Sequence, residues 1–213
     1  FRNLHLVNPK KFPSEEAVTL ASGADDILEN AILHSNLSDA LKGTSIAFAT
    51  TARSRHISLP VSSPRMAVGE IGRQTDEVAF VFGRENSGLS NDQINLCNRI
   101  ITIPSNPDFS SLNLAQAVQI CLYELRVLSL AAGNQVDFSI SKGDRLALSQ
   151  EVQRLESHLT EVMQLVDYFH TSQPKHLIQR IHRIFGRSSL LRSEVQILRG
   201  FLSSIERKLN KKN

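Results

Sequence analysis

Two stretches of the chain gather residue types suited to holding a polar ligand. The first is Val81-Phe82-Gly83-Arg84-Glu85-Asn86-Ser87-Gly88-Leu89. The second is Ile103-Pro104-Ser105-Asn106-Pro107-Asp108-Phe109-Ser110-Ser111-Leu112-Asn113-Leu114-Ala115. A glycine at the end of an apolar run, such as Gly83, lets a ligand come close to the backbone. Gly88 permits a tight turn a few residues later. In the second stretch Pro104 and Pro107 fix the path of the chain. It then delivers Ser110, Ser111 and Asn113 to the start of a long helical pattern, where unpaired N–H groups point outward. Such a place suits the polar edges of a ribose or an adenine, or a phosphate. A third segment, Thr50-Thr51-Ala52-Arg53, follows another apolar run. Taken singly, each of these reads just as well as a glycine turn or a helix cap. Glu85 reads as tying down loop backbone, or pairing with an arginine, in preference to a catalytic role.

The elements that must position these loops alternate between strand and helix. Residues 4–7, 45–49, 78–82 and 99–103 read as strands, and 78–82 is a continuous apolar run of the kind buried on both faces. Helices are expected over 15–21, over 38–42 with Ser38 as cap, after Ser63-Pro64, after Ser90-x-x-Gln93, and over 111–132. Such alternation predicts an α/β domain with a mainly parallel sheet, whose ligands sit at the carboxyl ends of the strands. Each candidate loop follows a strand. The helix at 112–130 is apolar on most sides, which predicts a buried core helix or a subunit interface.

Length and composition agree with this plan. At 213 residues, 41% hydrophobic and 21% charged, the chain has room for one large domain or a medium one plus a small one. Extensive disorder is excluded. No apolar run approaches the roughly 20 residues of a membrane helix, and no leader pattern is present, so a cytoplasmic protein without membrane attachment is expected. Cys97 and Cys121 have no C-x-x-C or metal-ligand spacing and read as buried free thiols; no metal is expected. The chain begins at Phe1 and enters an apolar strand almost at once. A further N-terminal segment is therefore expected before it.

From Asp144 onward the strand signal disappears. Residues 133–143 read as a linker, and three helices are expected beyond it, the second starting at Pro174 and the third spanning 193–209. Charge is divided unevenly. Residues 1–140 carry 11 Lys and Arg against 14 Asp and Glu, whereas residues 141–213 carry 13 against 7. A basic tail on a near-neutral body suits a phosphate-rich partner, or is simply a solubilising face. Arg180, Arg183 and Arg187 fall near one helical face, with Lys175 just before, as a phosphate track. His170, His176 and His182 read as surface or phosphate-contacting residues. Tyr168, Phe169, Phe185 and Phe201 fit core positions.

The pair of loops resembles the second and third signature motifs of the SpoU (SPOUT) class of RNA 2′-O-methyltransferases, G-x-E-x-x-G-L and I-P-x-x-x-x-x-S-L-N-L. The residues that match are Gly83, Glu85, Gly88 and Leu89, then Ile103, Pro104, Ser111, Leu112, Asn113 and Leu114. Residues 105–115, 6–9, 21–24, 51–55 and 194–200 resemble the TrmJ type within that class. The resemblance implies a trefoil-knotted α/β domain over 1–132 and a small all-α, basic, tRNA-binding domain over 144–213. It also implies a homodimer packed through the knot. S-adenosylmethionine would be held by Thr50, Thr51, Ala52, Gly83, Ile103, Ser110, Ser111 and Leu112. The implied reaction is methylation of the ribose 2′-hydroxyl of cytidine or uridine at position 32 of the tRNA anticodon loop. Ser111, Asn113 and Arg84 are the catalytic candidates. The arginine of the family's first motif, N-x-G-x-x-x-R, has no match here and is expected in the segment before Phe1. Alternatives are an rRNA substrate or a non-catalytic knotted RNA-binding module.

Overall fold

The computed structural model describes residues 3–53, 59–71, 77–131, 144–168 and 174–210, with backbone only for 174–176. The linker expected at 133–143, together with Phe169 and His170, lies outside the described residues. The chain divides into two compact units, 1–42 and 43–213.

In the first unit β1 (His5–Val7) and β2 (Ile32–His34) pair in parallel, with His5 opposite Ile32. Between them in sequence lie α1 (Glu15–Leu20) and α2 (Asp25–Glu29), and α3 (Leu37–Ala40) follows. The chain leaves the α1 region through a left-handed turn at Ser22 and Gly23, with φ of 51° and 88°. The cap of α3 is Asn36, whose side chain accepts the Asp39 N–H, and not the expected Ser38. Asn36 meets the unpaired N–H of the third residue of a helix that begins one residue before Ser38.

The second unit holds β3 (Ile46–Thr50), β4 (Val61–Ser62), β5 (Val78–Val81) and β6 (Arg99–Ile101), all parallel, in the order β4-β6-β3-β5. β3 is the strand covered on both faces, and Phe48 and Ala49 are fully buried. β5 was expected to be so, but it lies at the edge of the described sheet and three of its four residues are only half-buried. α4 (Pro64–Glu70) opens at Ser63, whose hydroxyl accepts the Met66 N–H. α5 (Asn91–Asn95) opens with the reciprocal Ser90–Gln93 capping box.

α6 (Leu114–Ala131) packs on α4. Its Cys121 joins Ile46, Phe48, Ala67, Val68 and Ile101 in the main core. Arg65 of α4 forms two 3.1 Å bonds to the Glu124 carboxylate of α6. Of the two expectations for α6, a buried core helix or a subunit interface, the first is corrected. Only Cys121 is fully buried, while Tyr123, Val127 and Leu130 are exposed. One face meets the sheet side, and the apolar residues on the other are left exposed by the described residues. By length and composition alone α6 is apolar enough to cross a membrane, which the unbroken-run criterion did not register.

α7 (Ser149–Leu165), α8 (Pro174–Ser188) and α9 (Arg192–Asn210) form the helical region. Ala147, Leu155, Val162, Val195 and Leu202 are its core, with Phe185 packed against them. Phe201 and Tyr168 do not take the core positions expected of them and are 64% and 68% exposed. In α9 the inward stripe runs through Val195 and Leu202, seven residues apart, and Phe201 lies about 100° off it. Main-chain bonds from Ala147 to Leu190 and from Arg192 to Arg145 tie the entry of α7 to the entry of α9.

Candidate active site

The order β4-β6-β3-β5 makes β3 the neighbour of both β5 and β6. Three loops therefore leave adjacent carboxyl ends of a parallel sheet, where ligands of such folds collect. The loop after β3 is held by main chain. Thr51 N–H donates to the Ile101 carbonyl at 3.0 Å, and the Thr102 hydroxyl donates to the Thr51 carbonyl at 3.1 Å. Arg53 N–H donates to the Thr51 hydroxyl at 3.2 Å. Thr50 Oγ1 is buried and finds no partner among the described residues. A buried hydroxyl left unpaired costs about 1–3 kcal/mol, a cost that persists where function needs the group.

The loop after β5 is a closed turn. Gly88 N–H donates to the Arg84 carbonyl at 2.7 Å, and Gly88 itself sits at φ 65°. A Cβ on Gly83 would lie 2.2 Å from the Gly88 carbonyl carbon and 2.3 Å from the Leu89 nitrogen. The sequence suggested that Gly83 makes room for a ligand. In the structure the group that comes close is the far end of the loop's own backbone. Any side chain at Gly83 would force the turn open.

The loop after β6 runs through a short 3-10 turn, Pro107–Phe109, capped by Asn106, whose side chain accepts the Asp108 N–H. Ser105 donates its hydroxyl proton to the Ser110 carbonyl at 3.0 Å. Asn113 then does two things. Its Oδ1 accepts the Ala115 N–H at 2.9 Å, capping α6, and its Nδ2 donates to Glu85 Oε1 at 2.8 Å. The second bond brings the Arg84–Glu85 turn against the segment that carries Ser110, Ser111 and Leu112. Glu85 ties the two loops through an asparagine side chain, where loop backbone or an arginine was the expected partner. Ser110, Ser111, Arg84 and Ala52 are exposed; Ile103 and Leu112 are half-buried, Ile103 against the main core. Phe109 is 80% exposed at the mouth of the same loop. Asn113 as a cap was legible in the sequence, but its link to Glu85 was not. Nor was the orphaned Thr50 hydroxyl, since burial of a strand-end threonine has no signature in residue order.

The cysteines take no part. Burial pushes the Cys97 thiol up to about 12 and that of Cys121 to about 11, so neither offers a thiolate. On α8, Arg180 and Arg187 are exposed, but Arg183 is half-buried with its Nε enclosed and without a hydrogen-bond partner among the described residues. The side chains of Lys175 and His176 lie outside the described residues. His182 is not the surface residue expected. It is half-buried, with Nδ1 2.8 Å from Glu156 Oε2 and Nε2 on the Asn95 carbonyl.

The SpoU rRNA Methylase family matches residues 1–123, and the C-terminal domain of tRNA methyltransferase TrmJ matches residues 150–213. The tRNA (cytidine/uridine-2′-O-)-methyltransferase TrmJ of Yersinia enterocolitica is 37% identical over 208 residues, 96% of this chain and 81% of that protein. The tRNA (cytidine/uridine/adenosine-2′-O-)-methyltransferase TrmJ of Pseudomonas aeruginosa is 37% identical over 213 residues, 96% of this chain and 83% of its own length. Among solved structures, TrmJ from Z. mobilis superposes with a TM-score of 0.81 at 31% identity, covering 97% of this chain and 88% of that one. With both families matched in series and relatives aligned over nearly its whole length, the chain belongs to the SpoU methylase family, in its TrmJ branch, and is a methyltransferase.

Proposed function

We propose that this protein transfers a methyl group from S-adenosylmethionine to the ribose 2′-hydroxyl of cytidine or uridine at position 32 in the anticodon loop of tRNA. The observation that carries the reading is the meeting of three loops at adjacent strand ends, two of them joined by the Glu85–Asn113 bond. The TrmJ relatives, whose names state tRNA 2′-O-methylation of cytidine and uridine, support the substrate. The unpartnered Thr50 hydroxyl and the exposed serines of the third loop suit the donor's polar groups. Thr50, Thr51, Ala52, Gly83, Ile103, Ser110, Ser111 and Leu112 would hold it. When bound, S-adenosylmethionine supplies a methyl group already activated by its sulfonium.

What the chain itself must do is align the hydroxyl and manage its proton. Ser111 and Asn113 orient the ribose, with Asn113 fixed by Glu85. Arg84, on the adjoining turn, stabilises negative charge as it develops on the oxygen. The arginine of the family's first motif, which has no match among these residues, would assist removal of the proton. Residues 1–132 form the knotted catalytic domain and 144–213 the domain that positions tRNA. There Arg180, Arg183, Arg187 and Lys175 contact phosphates without reading bases. The bare apolar face of α6, with Tyr123, Val127 and Leu130, covers the same face of a second copy in a cytoplasmic homodimer.

The test is transfer of labelled methyl from S-adenosylmethionine to separate pools of tRNA and rRNA, by a chain extended at its N-terminus, with the modified nucleotide mapped. Label at position 32 of tRNA is expected. Label in rRNA alone would move the substrate, and no label in either pool would defeat the reading.

A further inference from the structure

Where the helical region meets the α/β body, α8 lies against the turn that follows α5. Asn98 Nδ2 donates to the Gly186 carbonyl at 3.3 Å, while its Oδ1 accepts the Ala47 N–H of β3 at 2.8 Å. Arg99 donates to the Ser189 hydroxyl at 2.6 Å, and Ser149 N–H to the Thr44 carbonyl at 2.8 Å. At the centre of this joint stands His182. It bridges α7 through Glu156 Oε2 at 2.8 Å and the α/β body through the Asn95 carbonyl.

Both partners of the ring are acceptors. The Asn95 carbonyl has no proton to give, and an ionised Glu156 has none either. A neutral imidazole carries one N–H and would set a lone pair against one of the two oxygens; only the doubly protonated ring satisfies both. The surroundings favour that charge. Glu156 is largely buried, and its second oxygen, Oε1, has no partner among the described residues. The two line a cavity of about 30 Å³ together with Ser149 and Gln153 of α7, Cys97 and Asn98 of the body and Gly186 of α8. No lysine or arginine is among its lining residues. The Cys97 thiol there is neutral, because burial pushes it up to about 12. Among the residues lining this cavity Glu156 is then the one carboxylate, and His182 the one basic side chain.

We propose that His182 is a protonated imidazolium that clamps the C-terminal helices to the α/β body, so that the joint loosens as pH rises. The hydrogen bond that the ring donates to Glu156 foremost, with the charge of Glu156 and the Asn95 carbonyl, holds the ring's pKa above the ordinary imidazole value of 6.5, and partial burial opposes them without prevailing. The sign follows. A raised folded-state value gives a contribution that is fully present below pH 6.5 and is lost as pH rises through the folded value. The Asn98, Arg99 and Ser149 bonds persist, so the helices loosen at His182 without detaching. The clamp itself does not depend on the proposed reaction. Its consequence, that an alkaline shift moves Arg180 and Arg187 relative to the donor loops, does rest on that reading.

The test uses the full chain with labelled histidine and follows the imidazole nitrogens by NMR from pH 5.5 to 9. The His182 signals are assigned by their loss in His182→Gln. The His182 titration midpoint is expected above the ordinary 6.5, with both ring nitrogens protonated on its acid side, and a midpoint at or below 6.5 would overturn the proposal. Amide exchange of residues 95–98 in the unmodified chain is the second measurement, with β3 amides correcting for the pH dependence of exchange chemistry. Protection there should fall about tenfold for each unit by which the folded value exceeds the ordinary one. Protection independent of pH would refute the clamp even if His182→Gln failed to fold. Neither measurement involves RNA or the methyl donor, so a failed clamp and a failed reaction are told apart.

Discussion

The α/β body and the helical region hold their functional groups in opposite ways. In the body the candidate loops are fixed through main-chain N–H groups, Thr51 on the Ile101 carbonyl, Gly88 on the Arg84 carbonyl and Ala115 on Asn113 Oδ1. Ionised side chains are few at those loops, and the one that acts structurally, Glu85, is tied to Asn113. In the helical region the candidates are long exposed cations, Arg180 and Arg187, on a scaffold closed by ion pairs. Arg145 binds Glu151 through two 2.9 Å bonds, and Arg192 Nε reaches the same carboxylate at 3.6 Å. A small ligand is placed by backbone to within tenths of an ångström. A polyanion is captured by charges that need only be near it. Damage to the first region should thus be all-or-none, and damage to the second graded.

The comparison is sharpest in the two cores. Phe48 is fully buried beneath the sheet and stacks on Phe80 with centroids 5.3 Å apart. Phe48→Ala should cost about 3–5 kcal/mol and Leu155→Ala in the helical core about 2–5 kcal/mol. Residues 43–213 form one compact unit, so both losses are expected in a single denaturant transition. Two separate transitions would show that body and helices unfold independently, and the joint at His182 would then be weaker than its hydrogen bonds suggest.

Gly83→Val comes next. With backbone 2.2 Å from the would-be Cβ, the turn must open, and S-adenosylmethionine affinity should fall by about 100-fold or more in a calorimetric titration. Binding of tRNA through the helical region should persist. Retention of full donor affinity would mean that the loop after β5 is not part of the donor site.

Arg180→Ala with Arg187→Ala should act in the mirror sense. Affinity for tRNA is expected to drop about tenfold at moderate salt, with the slope of log affinity against log salt shallower by about 1 to 2. Donor binding should not change. Arg183→Ala is expected to do less to RNA binding and more to stability, because its Nε is already enclosed.

Much of the body was legible in residue order because its signals are local. Ser63-Pro64 and Ser90-x-x-Gln93 each set a helix start through bonds made within four residues, and the structure has both. The strands at 46–50, 78–81 and 99–101 were legible from their apolar runs, while their order was not. Strand order depends on crossovers that no window reveals, so β5 was taken for an interior strand when β3 holds that place. β4, two residues long, gave no pattern at all. The helical region was legible in its helices and less so in its faces. Phe201 looked inward by residue type and is outward by angle, and His182 looked like a surface residue until α5 and α7 were placed beside it. The same limit applies to the site. The family motifs supplied the loops, but the Glu85–Asn113 bond spans 28 residues of sequence and exists only after β5 and β6 have both taken their places beside β3.

That bond gives the smallest and most discriminating test of the contrast. Glu85→Gln keeps an oxygen for Asn113 Nδ2 but removes the charge, so the bond weakens without being lost. Stability should fall by about 0.5–1.5 kcal/mol and donor affinity by less than tenfold. Asn113→Ala removes the same bond and the cap on α6 together, adding about 1 kcal/mol of stability loss. If the bond exists to fix Asn113, the double variant Glu85→Gln/Asn113→Ala should be no worse than Asn113→Ala alone in thermal melts and donor titrations. Additive losses in the cycle would mean that Glu85 acts on the site through some other contact, and that the two loops are positioned independently.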